Sequence, residues 1–183
     1  MTKTASTRER LLAAARDLFW TRGYSNVSVR DITNAAGVDA ALVSRYFGGK
    51  QGLFEATLAG IPRWEALDAE GEALLAAAVA SFAHPFDPDC VQANPFTMLL
   101  SNIIDPEMGD KIRTLVQEGL AAPLARKLDG PYVEERAAML LAALFGMALM
   151  RKNFQIAALT DPPPQEVSAQ IRHLAQAALH FKA

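Results

Sequence analysis

At 183 residues the chain is long enough to bury a core without disulfide or metal staples, and 51% hydrophobic against 21% charged residues excludes a disordered protein. Its one cysteine, Cys90, excludes an internal disulfide, and no apolar stretch approaches the roughly 20 residues of a membrane span. The net charge of −2 conceals a split: residues 1–58 carry eight basic against five acidic side chains, a balance of +3, while residues 59–183 carry ten against fifteen, −5. A basic segment joined to an acidic remainder is expected where one end meets phosphate. The polar stretch Met1 to Thr7 lacks the apolar core of a signal peptide, so a cytoplasmic location is expected.

Alternating strand patterns are absent and apolar residues recur at helical spacing, which predicts an all-α protein. A first helix opens at Ser6, whose spacing to Glu9 is that of a capping box, buries Leu11, Leu12, Ala15, Leu18 and Phe19, and ends at Gly23. A second follows Ser28, with Asp31 in its first turn and Val29 and Ile32 inward, and stops at Ala36 before Gly37. Asp39 caps a third through Tyr46; Gly48 and Gly49 break the chain; Lys50 begins a fourth that reaches about Gly60. Beyond Pro62 the pattern predicts helices over 64–83, 95–104 and 107–128, the last kinked at Pro123, with an irregular link at 84–89. Two longer helices are expected over 133–155 and 165–181.

Two short helices, the first ending Ala35-Ala36-Gly37-Val38 and the second beginning at once with Asp39, have helix-turn-helix spacing. Gly37 permits the tight turn, Ala35 and Ala36 permit close approach, and Val38, Val43 and Phe47 are expected to lock the pair onto the first helix. The opposite face of the third helix, Ala40, Ala41, Ser44, Arg45 and Tyr46, is then free to meet a major groove. Ser28 and Lys50 stand at helix N-termini, where backbone N–H groups favour phosphate, and Arg30 can reach a guanine edge or a phosphate.

The run Thr7-Arg-Glu-Arg-Leu-Leu-Ala-Ala-Ala-Arg-Asp-Leu-Phe closely resembles the start of the N-terminal domain of TetR/AcrR family transcriptional regulators. So do the landmarks that follow it: Arg22-Gly-Tyr, Val29-Arg-Asp-Ile-Thr, Ala35-Ala-Gly-Val and Tyr46-Phe-Gly-Gly-Lys-Gln-Gly-Leu-Phe. The resemblance implies a DNA-binding domain over residues 1–50 and a helical ligand-binding and dimerisation domain over 51–183. It implies phosphate contacts from Ser28, Tyr46 and Lys50, and base or near-base contacts from Arg30 and the third helix. Where many members carry lysine, glycine or threonine, and tyrosine, this chain has Ala40, Ala41, Leu42 and Ser44, which leaves Leu42 to touch a thymine methyl and Arg45 to do more of the polar work.

The family pairs its last two long helices into a four-helix bundle, which implies a homodimer through Leu141, Phe145, Ala148, Ile171, Leu174 and Ala178. The run Ala137 to Met150 is apolar all round, and Val167, Ile171, Leu174, Ala178 and Phe181 form one stripe, so one face can serve the chain's own core and another a partner. An apolar small-molecule inducer is expected among Trp64, Leu67, Phe82, Phe86, Phe96, Met98, Asn102, Met108, Ile112, Leu115 and Phe154, although each is also a candidate for ordinary core. Such a ligand would release a repressor from a palindromic double-stranded operator.

No nucleophile elbow, phosphate loop or zinc spacing appears, so neither an enzyme nor a cofactor is expected. His84, Asp87 and Asp89 are better read as a solvated turn than as metal ligands. His173 and His180 share one helical face, where solvent or an interface accounts for them. A ligand-binding or scaffolding helical dimer with little DNA affinity is the alternative, suggested by the low polarity of the third helix.

Overall fold

The computed structural model describes residues 6–59, 61, 64–83 and 95–181, and among these it is helical with no strand. The helices are α1 (Thr7–Arg22), α2 (Val29–Ala36), α3 (Ala41–Phe47), α4 (Lys50–Ala59), α5 (Gly71–Ala83), α6 (Pro95–Asn102), α7 (Gly109–Val116), α8 (Ala122–Ala125), α9 (Val133–Lys152), α10 (Ala157–Thr160) and α11 (Pro164–Leu179). The chain divides into two compact units, one drawn from 1–62 and 91–113, the other from 63–90 and 114–183. The boundary expected at residue 50 therefore falls inside the first unit, which takes α4 and the distant α6 as well as the first three helices.

In the first unit α1 is the central element, with α2, α4 and α6 packed on it. Leu11, Ala15, Phe19 and Trp20 form its buried face; Leu12 and Leu18 stay half-exposed. Phe19, Tyr24 and Phe54 make an aromatic trio with centroids 5.3–5.5 Å apart. The Trp20 indole N–H donates to the Thr57 hydroxyl at 3.1 Å, which satisfies the polar edge of a buried ring. α6 is anchored by Asn102, whose side chain is wholly buried. Its Oδ1 accepts the Tyr24 N–H at 2.7 Å, and its amide nitrogen donates to the carbonyls of Phe19 at 3.1 Å and Met98 at 2.9 Å. Beside it Gly23, at φ +83°, lies so close to α6 that an added Cβ would stand 2.6 Å from the Ser101 carbonyl oxygen.

In the second unit α11 packs on both α5 and α9. The core comprises Leu74, Leu75, Ala78 and Val79 of α5, Ala137, Leu140, Leu141 and Leu144 of α9, and Val167, Ile171, Ala175 and Ala178 of α11. The helix expected over 64–83 is divided: a 3-10 turn at Glu65–Asp68 precedes α5, because Gly71 takes a left-handed φ of +53°. The helix expected over 107–128 runs unbroken from Gly109 to Ala125: a π-turn at Gln117–Ala121 joins α7 to α8 just before Pro123, whose missing N–H interrupts the regular ladder there. Gly130 at φ +88° and Tyr132 at φ 58° lead into α9, and the Arg136 guanidinium braces that turn by donating to the carbonyls of Asp129 at 2.7 Å and Leu179 at 2.6 Å. The buried Arg151 likewise donates to the carbonyls of Leu159 at 3.0 Å and Phe82 at 2.8 Å.

No helix among the described residues is long and apolar enough to cross a membrane. The 84–89 link, with His84, Phe86, Asp87 and Asp89, and also Cys90, lie outside the described residues.

Candidate nucleic-acid interface

Two capping boxes fix the starts of α1 and α2, the helices that frame the outward surface of α3. Ser6 and Glu9 exchange backbone bonds at 3.3 and 2.7 Å, and Ser28 and Asp31 do so at 3.1 and 2.8 Å. α2 closes on Gly37 in the left-handed conformation, φ +63°, whose N–H returns to Asn34 and is followed by Val38 N–H bonding the Thr33 carbonyl at 3.0 Å. Asp39 then turns the chain, its Oδ1 accepting the Ala41 N–H at 2.7 Å. Val43 is fully buried and is the side chain that seats α3, while Val38 and Phe47 are half-buried supports.

With Val43 inward, the other face of α3 is presented outward. Ala40, Ala41, Ser44 and Arg45 are exposed, Leu42 is half-buried, and Tyr46 is 41% exposed with its ring edge-on to Phe47. Arg30 is exposed on the first turn of α2. The helix-turn-helix spacing thus produces a short, solvated helix with two flanking guanidinium groups, Arg30 and Arg45, and two hydroxyls, Ser44 and Tyr46. That inventory suits phosphate oxygens and groove edges.

Two expected phosphate contacts are differently engaged. The Ser28 hydroxyl donates to Asp31 Oδ2 at 2.6 Å while it accepts the Asp31 N–H, so a phosphate would have to draw its proton away. Hydrogen bonds from the Ser28 hydroxyl and backbone hold the Asp31 carboxyl below the usual carboxylate range, so it is ionised at neutral pH. The Lys50 ammonium lies 4.0 Å from the centroid of the Tyr24 ring, a cation–π contact at the start of α4.

A residue that the sequence reading did not single out also shapes this surface. Arg10 reaches from α1 to the α2–α3 turn, where its Nη2 donates to the carbonyls of Ala36 at 2.5 Å and Gly37 at 2.9 Å. The available signal was an arginine on the helix that packs against a glycine-terminated helix, whose last carbonyls lack partners.

The described residues expected around a ligand divide between the two units, and Phe86 lies outside the described residues. Met98, Asn102, Met108 and Ile112 are buried in the first, where Asn102 spends its amide on backbone groups. Phe96, half-buried, also belongs to that unit. In the second unit Leu67 is buried core, Leu115 is half-buried and Phe154 is 62% exposed. Trp64, whose N–H bonds the Ser81 hydroxyl at 3.0 Å, is edge-on to Phe82, and Phe82 in turn meets Phe145 at 6.0 Å. A groove of about 420 Å³ in this unit is lined by other residues, among them Gln117, Ala121, Arg126 and Glu134. No cluster of metal-ligating side chains occurs among the described residues.

The expected dimer residues also divide. Leu141, Ala148, Ile171 and Ala178 are buried within the single chain, and Phe145 is half-buried. Leu174 is 42% exposed and shares its helical face with Ala177 and Phe181, both exposed. On α9 the exposed apolar side chains are Ala138, Met139, Ala142 and Met150, one or two positions round the helix from those expected.

Comparison with known proteins places both halves. The family model described as "Bacterial regulatory proteins, tetR family" matches residues 11–57, and that described as "Tetracyclin repressor-like, C-terminal domain" matches residues 72–179. The probable HTH-type transcriptional regulator YttP of Bacillus subtilis (strain 168) is 44% identical over 50 residues, 27% of this chain and 24% of that relative's length. A TetR family regulator, CifR, solved as a cysteine mutant with a 26-base-pair double-strand operator DNA, is similar at a TM-score of 0.68 and 23% identity, covering 97% of this chain and 99% of its own. A TetR-like regulator from Rhodococcus sp. RHA1 covers 100% of both chains at a TM-score of 0.68 and 20% identity. At these identities the likeness to solved structures is one of fold.

Proposed function

Because the chain belongs to the TetR family of bacterial regulatory proteins, we propose that it acts as a homodimeric transcriptional repressor that leaves a palindromic operator when a small apolar ligand binds its C-terminal half. The observation that carries the reading is the outward face of α3. Arg45, Ser44 and Tyr46 are exposed there, Arg30 stands on the first turn of α2, and Val43 seats the helix from behind. Leu42 and the two alanines offer only methyl contacts, so polar base reading rests on Arg30, Ser44 and Arg45, and grip on the backbone on Tyr46, Lys50 and Ser28.

A second copy of the chain is the natural cover for the exposed apolar face of α9 and α11, with Met139, Met150, Leu174 and Phe181 each between 36% and 42% exposed. A two-fold dimer places two heads on two half-sites, which makes the operator palindromic. In this reading the C-terminal half binds a ligand rather than turning one over, and the protein works in the cytoplasm, where its DNA is.

Selection of genomic fragments by the full chain, followed by binding measured against salt, tests the proposal. A palindromic site bound at least about a thousandfold more tightly than random duplex is the expected result. Sequence-blind binding alone would overturn it, and candidate apolar ligands added to the same assay test release.

A further inference from the structure

The reading helix is short: α3 has seven residues, of which Val43 is buried and Leu42 and Phe47 are half-buried. Its first residue, Ala41, donates its N–H to Asp39, but the turn before it ends α2 on the carbonyls of Ala36 and Gly37, at the negative end of that helix. Arg10 supplies what the turn lacks. Its guanidinium bonds both carbonyls, at 2.5 and 2.9 Å, and stands where a side chain at 37 would project, since an added Cβ there would lie 3.1 Å from Nη2. From the same turn of α1, the Arg8 guanidinium lies 5.1 Å from the centroid of the Phe47 ring, at the far end of α3. The first turn of α1, itself fixed by the Ser6–Glu9 capping box, thus touches the turn that leads into the reading helix and the last residue of that helix.

We infer that Arg10 is a positioning residue for DNA reading: by tying the α2–α3 turn to α1, it sets the angle at which α3 presents Ser44 and Arg45. The inference rests on the DNA-binding reading above. Base-edge hydrogen bonds are directional, whereas phosphate contacts from long side chains tolerate a tilt of the helix. Loss of Arg10 therefore falls on specific binding more than on non-specific binding.

The test compares Arg10→Met, which keeps the stem and removes the donors, with Arg10→Lys, which restores a charge able to bond one of the two carbonyls. The full chain is titrated with its selected site and with a scrambled duplex over a salt series, and amide NMR shifts of residues 41–47 are followed without DNA. Arg10→Met is expected to weaken specific binding about tenfold or more. Non-specific binding should change less than about threefold with an unaltered salt slope, the α3 amides should shift, and Arg10→Lys should recover part of the loss. Equal losses on both duplexes with the slope reduced by about one unit would make Arg10 a phosphate contact and overturn the inference. Unmoved α3 amides overturn it as well, as does a loss that only follows the unfolded fraction. If the wild-type chain itself ignores sequence while the α3 amides still respond to Arg10→Met, the DNA-binding reading fails and the tie between α1 and α3 stands.

Discussion

Lys50 and Asp105 show how single side chains in the first unit carry both fold and charge. The Lys50 ammonium over Tyr24 is worth about 0.5–1 kcal/mol at a partly exposed site, and the same group opens α4, where phosphate is favoured. Lys50→Ala is expected to weaken binding to every duplex and to lower the salt slope by about one unit; an unchanged slope would leave Lys50 with Tyr24 alone. Asp105 accepts the backbone N–H groups of Ser25, Glu107 and Met108, each at 3.0 Å. Burial alone pushes its carboxyl up, but the bonds from the Ser25 side chain and from these N–H groups outweigh it and hold the group below the usual carboxylate value. The sign follows: stability is present above the unfolded value of about 3.9 and is lost as pH falls below it toward the lower folded value. Asp105→Asn should flatten the acid limb of stability relative to wild type in urea melts between neutral pH and pH about 3, and parallel limbs would remove Asp105 from the linkage.

Among the elements, α6 is the one whose role the local sequence hid. The first four helices were legible because each is punctuated by a local chemical signal: Ser6 with Glu9, Ser28 with Asp31, Gly37, Asp39 and Gly48. The outward face of α3 was legible for the same reason, since one buried residue, Val43, decides which side faces solvent. α6 carries its decisive residue, Asn102, in a run that reads as a pocket lining, and its partners Phe19 and Tyr24 lie 83 and 78 positions away, beyond the reach of any local pattern. Likewise Arg10 reads as one more surface arginine until its partners 26 and 27 residues on are seen. Asn102→Leu is expected to cost about 2 kcal/mol or more, since it strands the buried Tyr24 N–H. Denaturant melts followed by Trp fluorescence would show it, and a loss within about 0.5 kcal/mol would mean that apolar contacts alone hold α6.

For the whole molecule, the apolar surface that the chain leaves uncovered decides its assembly. The helices α9 and α11 were legible, but which side of α9 faces inward was not, because Ala137 to Met150 is apolar all round and gives no polar side to orient it. The structure turns Leu141 and Ile171 inward and leaves Met139 and Leu174 out. Leu174→Glu, with Met139→Glu as a second variant, should shift sedimentation toward the monomer while leaving the helical signal intact, since both positions are already solvated in one chain. Dimers that persist in both variants at micromolar concentration would place the interface elsewhere.

The Asn102 anchor also limits how this reading head can be transplanted. A fragment cut after α4 keeps every residue of the helix-turn-helix, yet it leaves the Tyr24 N–H and one face of α1 without α6, whose residues arrive more than thirty positions later. The head is contiguous as a surface but discontinuous as a folding unit. A chimera that grafts residues 1–59 onto another dimerising partner inherits the contact surface without its keel, whereas one that also carries 95–113 inherits both.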